Sequence, residues 1–274
     1  FFCFGRTPPA FARAVQRTAM YIRKRSALGL LLAHGSLVAW LLCSAPTIEG
    51  NVCDGVSPAL LLDKDRIQDL WACASAYQEA NWWHVTATFM AVYIAMKGLA
   101  GPAFTLCILA GALYPLPLAQ FLTGVGEAFG SSACYLLSGA LARPVVGRLF
   151  PAKLEALRLR AEAEKEHMLI FNVWLRMTPF LPNWFCNLAC PLVGVPLRPF
   201  FVASLFGTQG SLLFLTLTGA TLRDLGESRF ELGSSFRRRA LLLAALMAVL
   251  QCVPLLFIWR QKRRAAAAAS RKEV

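Results

Sequence analysis

Acidic residues are scarce in this 274-residue chain: 15 Asp and Glu stand against 28 Lys and Arg, giving a formal charge of +13, and charged residues of both signs make up only 16% of it. A water-soluble fold of this size needs more polar surface than that. Histidine is rarer still, with His34, His84 and His167 scattered along the chain, so no histidine cluster is on offer for metal binding or acid–base catalysis. Phosphate loops of the G-x-x-x-x-G-K-[ST] type, H-E-x-x-H, G-x-S-x-G and C-x-x-C are all absent, which removes the common signatures of nucleotide hydrolysis, zinc proteolysis, serine hydrolysis and thiol redox work. We expect no enzyme activity, no cofactor and no metal site.

What the chain has in abundance is apolar surface: 57% of residues are hydrophobic and mean hydropathy is +0.53. With the basic charge, this excludes disordered, collagenous, disulfide-scaffold and ordinary soluble classes, and predicts an all-α polytopic membrane protein with basic loops. A nucleic-acid binder shares the charge but not the composition, so no nucleic-acid partner is expected. Of the 28 basic residues, 23 fall in four clusters, 1–26, 143–165, 223–239 and 260–274. Long runs between them are almost free of charge. Glu127 is the only acid or base in 98–141 and Arg176 the only one in 168–197, while 199–222 and 240–259 have none. Crossing helices need about 20 apolar residues, so the clusters read as interfacial loops facing anionic headgroups.

The sequence opens on Phe1 rather than Met, and an upstream segment is expected. Arg23-Lys24-Arg25 before the apolar run 27–43 has the pattern of a signal peptide or of an uncleaved first helix. The second is preferred, because Trp40 and Cys43 leave no small-x-small cleavage site directly after the run. Segment 44–83 reads as a polar loop with six acids against Lys64 and Arg66, a bias that suits a lumenal or extracellular side. Most of the nine cysteines sit in apolar runs as small hydrophobes. Cys53 and Cys73 lie in the acidic loop, where a disulfide requires an oxidising compartment. Cys186 and Cys190 have no His or acid nearby and are not read as a metal site.

Two apolar regions resemble one another at an offset of about 80 residues. Pro117-Leu118 matches Pro196-Leu197, Gly130-Ser131 matches Gly210-Ser211, and the run Leu137 to Arg143 matches Leu217 to Arg223. Each unit opens on an apolar stretch broken before it can span: Pro115 and Pro117 stop the first, and Pro179, Pro182, Pro191 and Pro196 cut up the second. Broken helices at membrane depth need protein or water to satisfy their freed backbone groups, and corresponding breaks in two units point to a polar site between repeats. The expected fold is an inverted repeat of re-entrant helical hairpin plus transmembrane helix. Its divisions are 1–97 (basic segment, first crossings, acidic loop), a core over 98–222, and 223–274 (loop, last crossing, basic tail). The core holds repeat 1 over 98–143, an amphipathic linker helix over 144–167 and repeat 2 over 168–222. Gly124, Gly126, Gly130 and Gly139 in the helix 118–142, and Gly207, Gly210 and Gly219 in the helix 198–222, permit close packing in lipid. The linker either lies on the membrane or bridges the repeats.

Four residues stand out as candidates for a polar path. Arg176 inside an apolar run faces a bundle interior or snorkels to the interface. Glu127 pairs with Arg176, lines a hydrophilic cavity, or sits neutral in a helix contact. Asn183 and Asn187 are donors for phosphate, or caps for the fragments made by Pro182 and Pro191. Arg143 and Arg198 are expected to face headgroups.

The run Arg176-Met177-Thr178-Pro179-Phe180-Leu181-Pro182-Asn183-Trp184-Phe185, followed by Asn187, Pro191 and Gly194-Val195-Pro196, resembles the VTT-domain family. These are the DedA-like or SNARE-associated Golgi proteins, and the likeness is to their eukaryotic transmembrane protein forty-one branch. Gly111-Ala112-Leu113-Tyr114-Pro115-Leu116-Pro117-Leu118, Gly130 to Ser138 and Arg143-Pro144-Val145-Val146 add to it, and it covers roughly 98–260. The resemblance implies facing re-entrant hairpins and ATP-independent phospholipid scrambling in the endoplasmic reticulum membrane, supporting lipid mobilisation and autophagosome formation; the Golgi or another endomembrane is the alternative location. Membrane phospholipids are the implied partners, with membrane-protein partners as a further class. Bacterial relatives resemble proton-coupled lipid-carrier transporters with acids in the first hairpin and a second Arg in the second. This chain has no acid between Gly98 and Gly126 and no Arg between Arg176 and Arg198, which favours passive movement. A proton-coupled lipid-carrier or small-solute transporter is the alternative function, and a membrane scaffold the second. Counting Lys and Arg on the two sides does not choose an orientation; the tail Arg271-Lys272-Glu273-Val274 resembles a dibasic retrieval signal read from the cytosol.

Overall fold

Within hydrocarbon a chain can satisfy its own backbone only as helices or closed barrels, and every regular element among the described residues is helical. The computed structural model describes residues 9–47, 53, 67–177 and 181–226. Its helices are α1 (Pro9–Cys43), α2 (Ile67–Ala80), α3 (Trp82–Gly98), α4 (Phe104–Leu113), α5 (Leu116–Leu137), α6 (Arg143–Leu149), α7 (Pro151–Ala163), α8 (Met168–Met177), α9 (Asn183–Ala189), α10 (Leu197–Gly207) and α11 (Gln209–Gly226). Two stretches, Arg25–Cys43 and Leu197–Arg223, are long and apolar enough to cross a membrane. Large apolar side chains such as Leu30, Trp40, Phe121, Phe206 and Phe214 stand exposed. In water such a surface is a liability, whereas beside lipid it is the ordinary state of a spanning helix. Pro179, the expected crossing 240–259 and the basic tail lie outside the described residues.

The breaks follow from proline chemistry. Tyr114 is extended (φ −113°, ψ 153°) between α4 and α5, as the residue before a proline prefers. Pro115, Pro182 and Pro196 each precede the first residue of a helix with ψ near 140–150°. Pro191 sits in a 3-10 turn, Cys190–Leu192. Pro117 differs from expectation in being inside the first turn of α5, where a missing N–H costs nothing.

Three further features depart from the expected outline. The helix expected over 198–222 is divided at Thr208. There Thr208 Oγ1 donates to the Ser204 carbonyl and Gln209 Nε2 to that of Leu205. Such side chains compete with the backbone ladder, and glycines at 207 and 210 weaken it further. The linker is two helices, because Phe150 precedes Pro151 and leaves the helical region (φ −133°, ψ 48°). Its apolar stripe, Leu154, Leu157 and Ala161, packs against a core cluster that includes Tyr135, Phe171, Phe185 and Phe200. Segment 44–83, expected to be a loop, contains α2, whose Cys73 is disulfide-bonded to Cys53 with Cα atoms 5.0 Å apart.

Helix α5 lies at the centre, against α3, α4, α9, α10 and α11. Glycines set how closely these helices approach. A Cβ on Gly219 of α11 would overlap the Ile108 carbonyl of α4, and one on Gly111 of α4 would overlap the Thr216 carbonyl of α11. A second core cluster, around Phe89, Tyr93, Tyr114 and Leu122, lies on this side of α5. Replacing Gly219 by Val should lower the thermal midpoint of the purified protein by an amount corresponding to about 1–3 kcal/mol or more of overpacking. Gly147→Ala, inside α6 at a position with nothing within 4 Å of the added carbon, should leave it unchanged or raise it by an amount corresponding to up to about 1 kcal/mol; both are read by thermal unfolding in detergent.

Candidate functional site

Tyr93 and Lys97 are four apart on α3, and Gly126 and Gly130 are four apart on α5, so each pair presents one face of its helix. A Cβ on Gly126 would come within 2.7 Å of the Tyr93 ring, and one on Gly130 within 2.5 Å of Lys97 Cβ. This approach delivers the Lys97 ammonium to 2.9 Å from Glu127 Oε1. Glu127 lies between the two glycines on the α5 face.

The opposite wall comes from α8 and α9. Arg176, near the end of α8, lies against Asn183 and Asn187 of α9. Arg176 Nη1 donates to Asn183 Oδ1 (2.5 Å) and Nη2 to Asn187 Oδ1 (2.9 Å). Asn183 Nδ2 in turn donates to Glu127 Oε1 at 2.8 Å. The Arg176 guanidinium lies 4.0 Å from the same oxygen and 4.6 Å from the centre of the Phe200 ring, where a flat cation is attracted by the π face. Ser131 Oγ (3.1 Å) and Tyr93 Oη (3.3 Å) complete the donors around the Glu127 carboxylate.

All three charges are buried, with side-chain exposures of 10% for Lys97, 3% for Glu127 and 1% for Arg176. Removing an ion from water costs several kcal/mol even after relaxation, and that is offset only by opposite charge and hydrogen bonds. Glu127 receives both. Counting side-chain charges, the cluster holds two cations and one carboxylate, a net of one positive charge. Lys97, Glu127, Arg176 and Asn183 face a cavity of about 330 Å³ that Phe104, Trp184 and Leu212 also line. Asn187 Nδ2 is buried with no hydrogen-bond partner among the described residues.

Of the sequence candidates, Glu127, Arg176, Asn183 and Asn187 are thus brought together. Arg176 points inward rather than snorkelling, and neither asparagine makes a side-chain cap at the start of α9. Arg143 and Arg198 are exposed and outside the cluster. Lys97 was not among the candidates: it ends the segment before the run 98–141, in which Glu127 is the single charged residue. Its signal is the i, i+4 pairing of Tyr93 with Lys97 opposite two glycines of the same spacing.

Residues 101–221 match the VTT domain. Transmembrane protein 41B of Gallus gallus is 32% identical over 203 residues, covering 74% of this chain and 74% of that protein. The Homo sapiens protein of that name is 32% identical over 203 residues, 74% of this chain and 68% of its own length, and that of Danio rerio 32% over 196 residues, 71% and 68%. The chain belongs to the VTT-domain family. No solved structure matches it. As a VTT-domain protein it is a membrane protein, and the domain runs from just before α4 into α11. Glu127, Arg176, Asn183 and Asn187 lie inside the VTT domain, and Lys97 lies four residues before its start. Replacing Glu127 by Ala strands two buried cations. We expect a loss of about 3–5 kcal/mol, the cost of breaking a buried ion pair, and a smaller loss for Glu127→Gln, both measured as thermal unfolding in detergent.

Proposed function

We propose that this VTT-domain protein is a passive phospholipid scramblase, moving lipids between leaflets of the endoplasmic reticulum membrane without ATP and so supporting lipid mobilisation and autophagosome formation. The observation that carries this reading is the buried cluster with one excess positive charge opening on a cavity. A phosphate headgroup cannot cross hydrocarbon unaided, and a site at membrane depth must replace its water with fixed dipoles and charge. Arg176 is suited to this role because its two amide acceptors hold the guanidinium in place without neutralising it. Asn187 Nδ2 adds a donor with no hydrogen-bond partner among the described residues. The apolar side chains exposed on α5 and α11, Phe121 and Phe214 among them, suit acyl tails that remain in the bilayer while the headgroup moves.

In this reading α4 with its Pro115 break and α8–α9 with the Pro182 break are the two re-entrant hairpins of an inverted repeat, over 98–143 and 168–222. The similar starts of α5 after Pro115 and of α10 after Pro196 support it. Lys97 already occupies the place beside Glu127 that a carried proton would take, which supports uncoupled movement over the proton-coupled alternative. The Cys53–Cys73 disulfide supports a lumenal location for segment 44–66, since such bonds persist in oxidising compartments. Arg23-Lys24-Arg25, on the other side of the crossing in α1, then lies in the cytosol.

The decisive experiment reconstitutes purified protein in liposomes with labelled phospholipid in one leaflet. Exchange should accelerate without ATP and without an ion gradient, and Arg176→Ala should slow it about tenfold or more, the order expected from losing one charged hydrogen-bonding group of about 1.5–3 kcal/mol. A folded preparation that leaves exchange at the protein-free rate would exclude scrambling. For orientation, an N-glycosylation acceptor inserted into 54–66 should be glycosylated in microsomes, and an unmodified product would reverse the assignment.

A further inference from the structure

We propose that Lys97 determines which phospholipids the site takes, by fixing the charge of the buried cluster at one positive unit. This inference rests on the scrambling reading and names the substrate class of the same site, lipids with an anionic headgroup.

Geometry divides the work between the two cations. Lys97 Nζ is 2.9 Å from Glu127 Oε1 and Arg176 Nη1 is 4.0 Å from it, so the carboxylate is matched mainly by the ammonium. The close Arg176 contacts are to the amide oxygens of Asn183 and Asn187 and to the Phe200 ring. None of these carries a negative charge. With Lys97 in place, the guanidinium charge is therefore left over for a ligand. Without Lys97, Glu127 has Arg176 as its only ionic neighbour among the described residues, and the site closes on itself as a neutral pair.

Burial makes that single unit of charge matter, because a charge in a partly desolvated site acts several times more strongly than in bulk water. One phosphodiester carries one negative charge and matches the cluster. A headgroup with no cation of its own gains the full match. A zwitterionic headgroup brings its ammonium into a cavity that Lys97 and Arg176 already line, and like charges repel there. Gly130 leaves room for the lysine stem, which places a positive charge beside the carboxylate while Arg176 keeps its planar contacts.

The test is a charge series in liposomes containing labelled phosphatidylglycerol and phosphatidylcholine, read as the ratio of their leaflet-exchange rates within one preparation, so that the amount of folded protein cancels. Wild type and Lys97→Met/Glu127→Gln both leave one positive unit, Glu127→Gln leaves two and Lys97→Met leaves none. Relative to wild type, Glu127→Gln should raise the anionic-to-zwitterionic ratio about tenfold and Lys97→Met should lower it about tenfold, the order expected of one unit charge in such a site. The double variant should return to the wild-type ratio and Lys97→Arg should retain it. A double variant that stays at the Lys97→Met ratio, or four equal ratios, would overturn the proposal while leaving scrambling intact. Wild-type vesicles that take up inorganic phosphate while neither lipid exchanges would assign the site to a soluble anion and overturn both.

Discussion

Everything at the centre of this molecule depends on keeping a carboxylate ionised and satisfied away from water. Glu127 is surrounded by Lys97, Ser131, Tyr93, Asn183 and, farther off, Arg176. These come from α3, α5, α8 and α9, so the requirement ties together elements that are distant in sequence. A buried ion pair is weak evidence of net stability, since its desolvation offsets its attraction. What it does supply is position, since donors from α3, α5, α8 and α9 meet on one carboxylate.

That arrangement in turn explains the glycines. Bringing a lysine from α3 to a glutamate on α5 needs the two helices closer than ordinary side chains allow, and Gly126 and Gly130 provide the room. Small residues at helix contacts in lipid are usually understood as packing surfaces. Here they also serve electrostatics, because the distance from Lys97 to Glu127 is set by the backbone approach at Gly130. The same device at Gly111 and Gly219 draws α4 and α11 together without any charge being involved.

Much of this was legible in the sequence for reasons that can be stated residue by residue. Proline breaks were readable because Pro115, Pro182 and Pro196 restrict the residue before them whatever the tertiary context. Glu127 and Arg176 were readable as anomalies because each is alone in an apolar run. Lys97 was not, since a charge at the edge of a run looks like a boundary residue, and only the packing of α3 on α5 turns it inward. The division at Thr208 was equally hidden: no proline marks it, and its cause is side-chain bonds from Thr208 and Gln209 to carbonyls of the preceding turn. Helix α2 escaped detection in a segment whose acids and turn formers suggested a loop.

Helix α5 shows how one element reconciles an apolar environment with a polar interior. On one side stand Phe121, Phe129 and Leu136, all exposed. Its other face carries Gln120, Thr123, Glu127 and Ser131, continued by Ser138 just past its end, bonded in turn to Gln209 of α11, the Ala119 carbonyl, the charged cluster, Glu127 again and the Leu188 carbonyl of α9. From Gln120 to Ser138 this face extends about 27 Å at 1.5 Å per residue, close to the ~30 Å of hydrocarbon. The usual amphipathic order is thus reversed, with polar groups facing the protein and apolar groups facing outward. Thr123 and Ser131 bond within α5, whereas Gln120, Glu127 and Ser138 find partners on α11, on α3 and α9, and on α9, and the breaks at Pro182 and Thr208 bring those short helices alongside α5. Unbroken helices would present fewer such acceptors, so the interruptions and the polar face require one another. Under the proposed scrambling, α5 is the helix among the described residues that offers a moving headgroup polar contacts along its length.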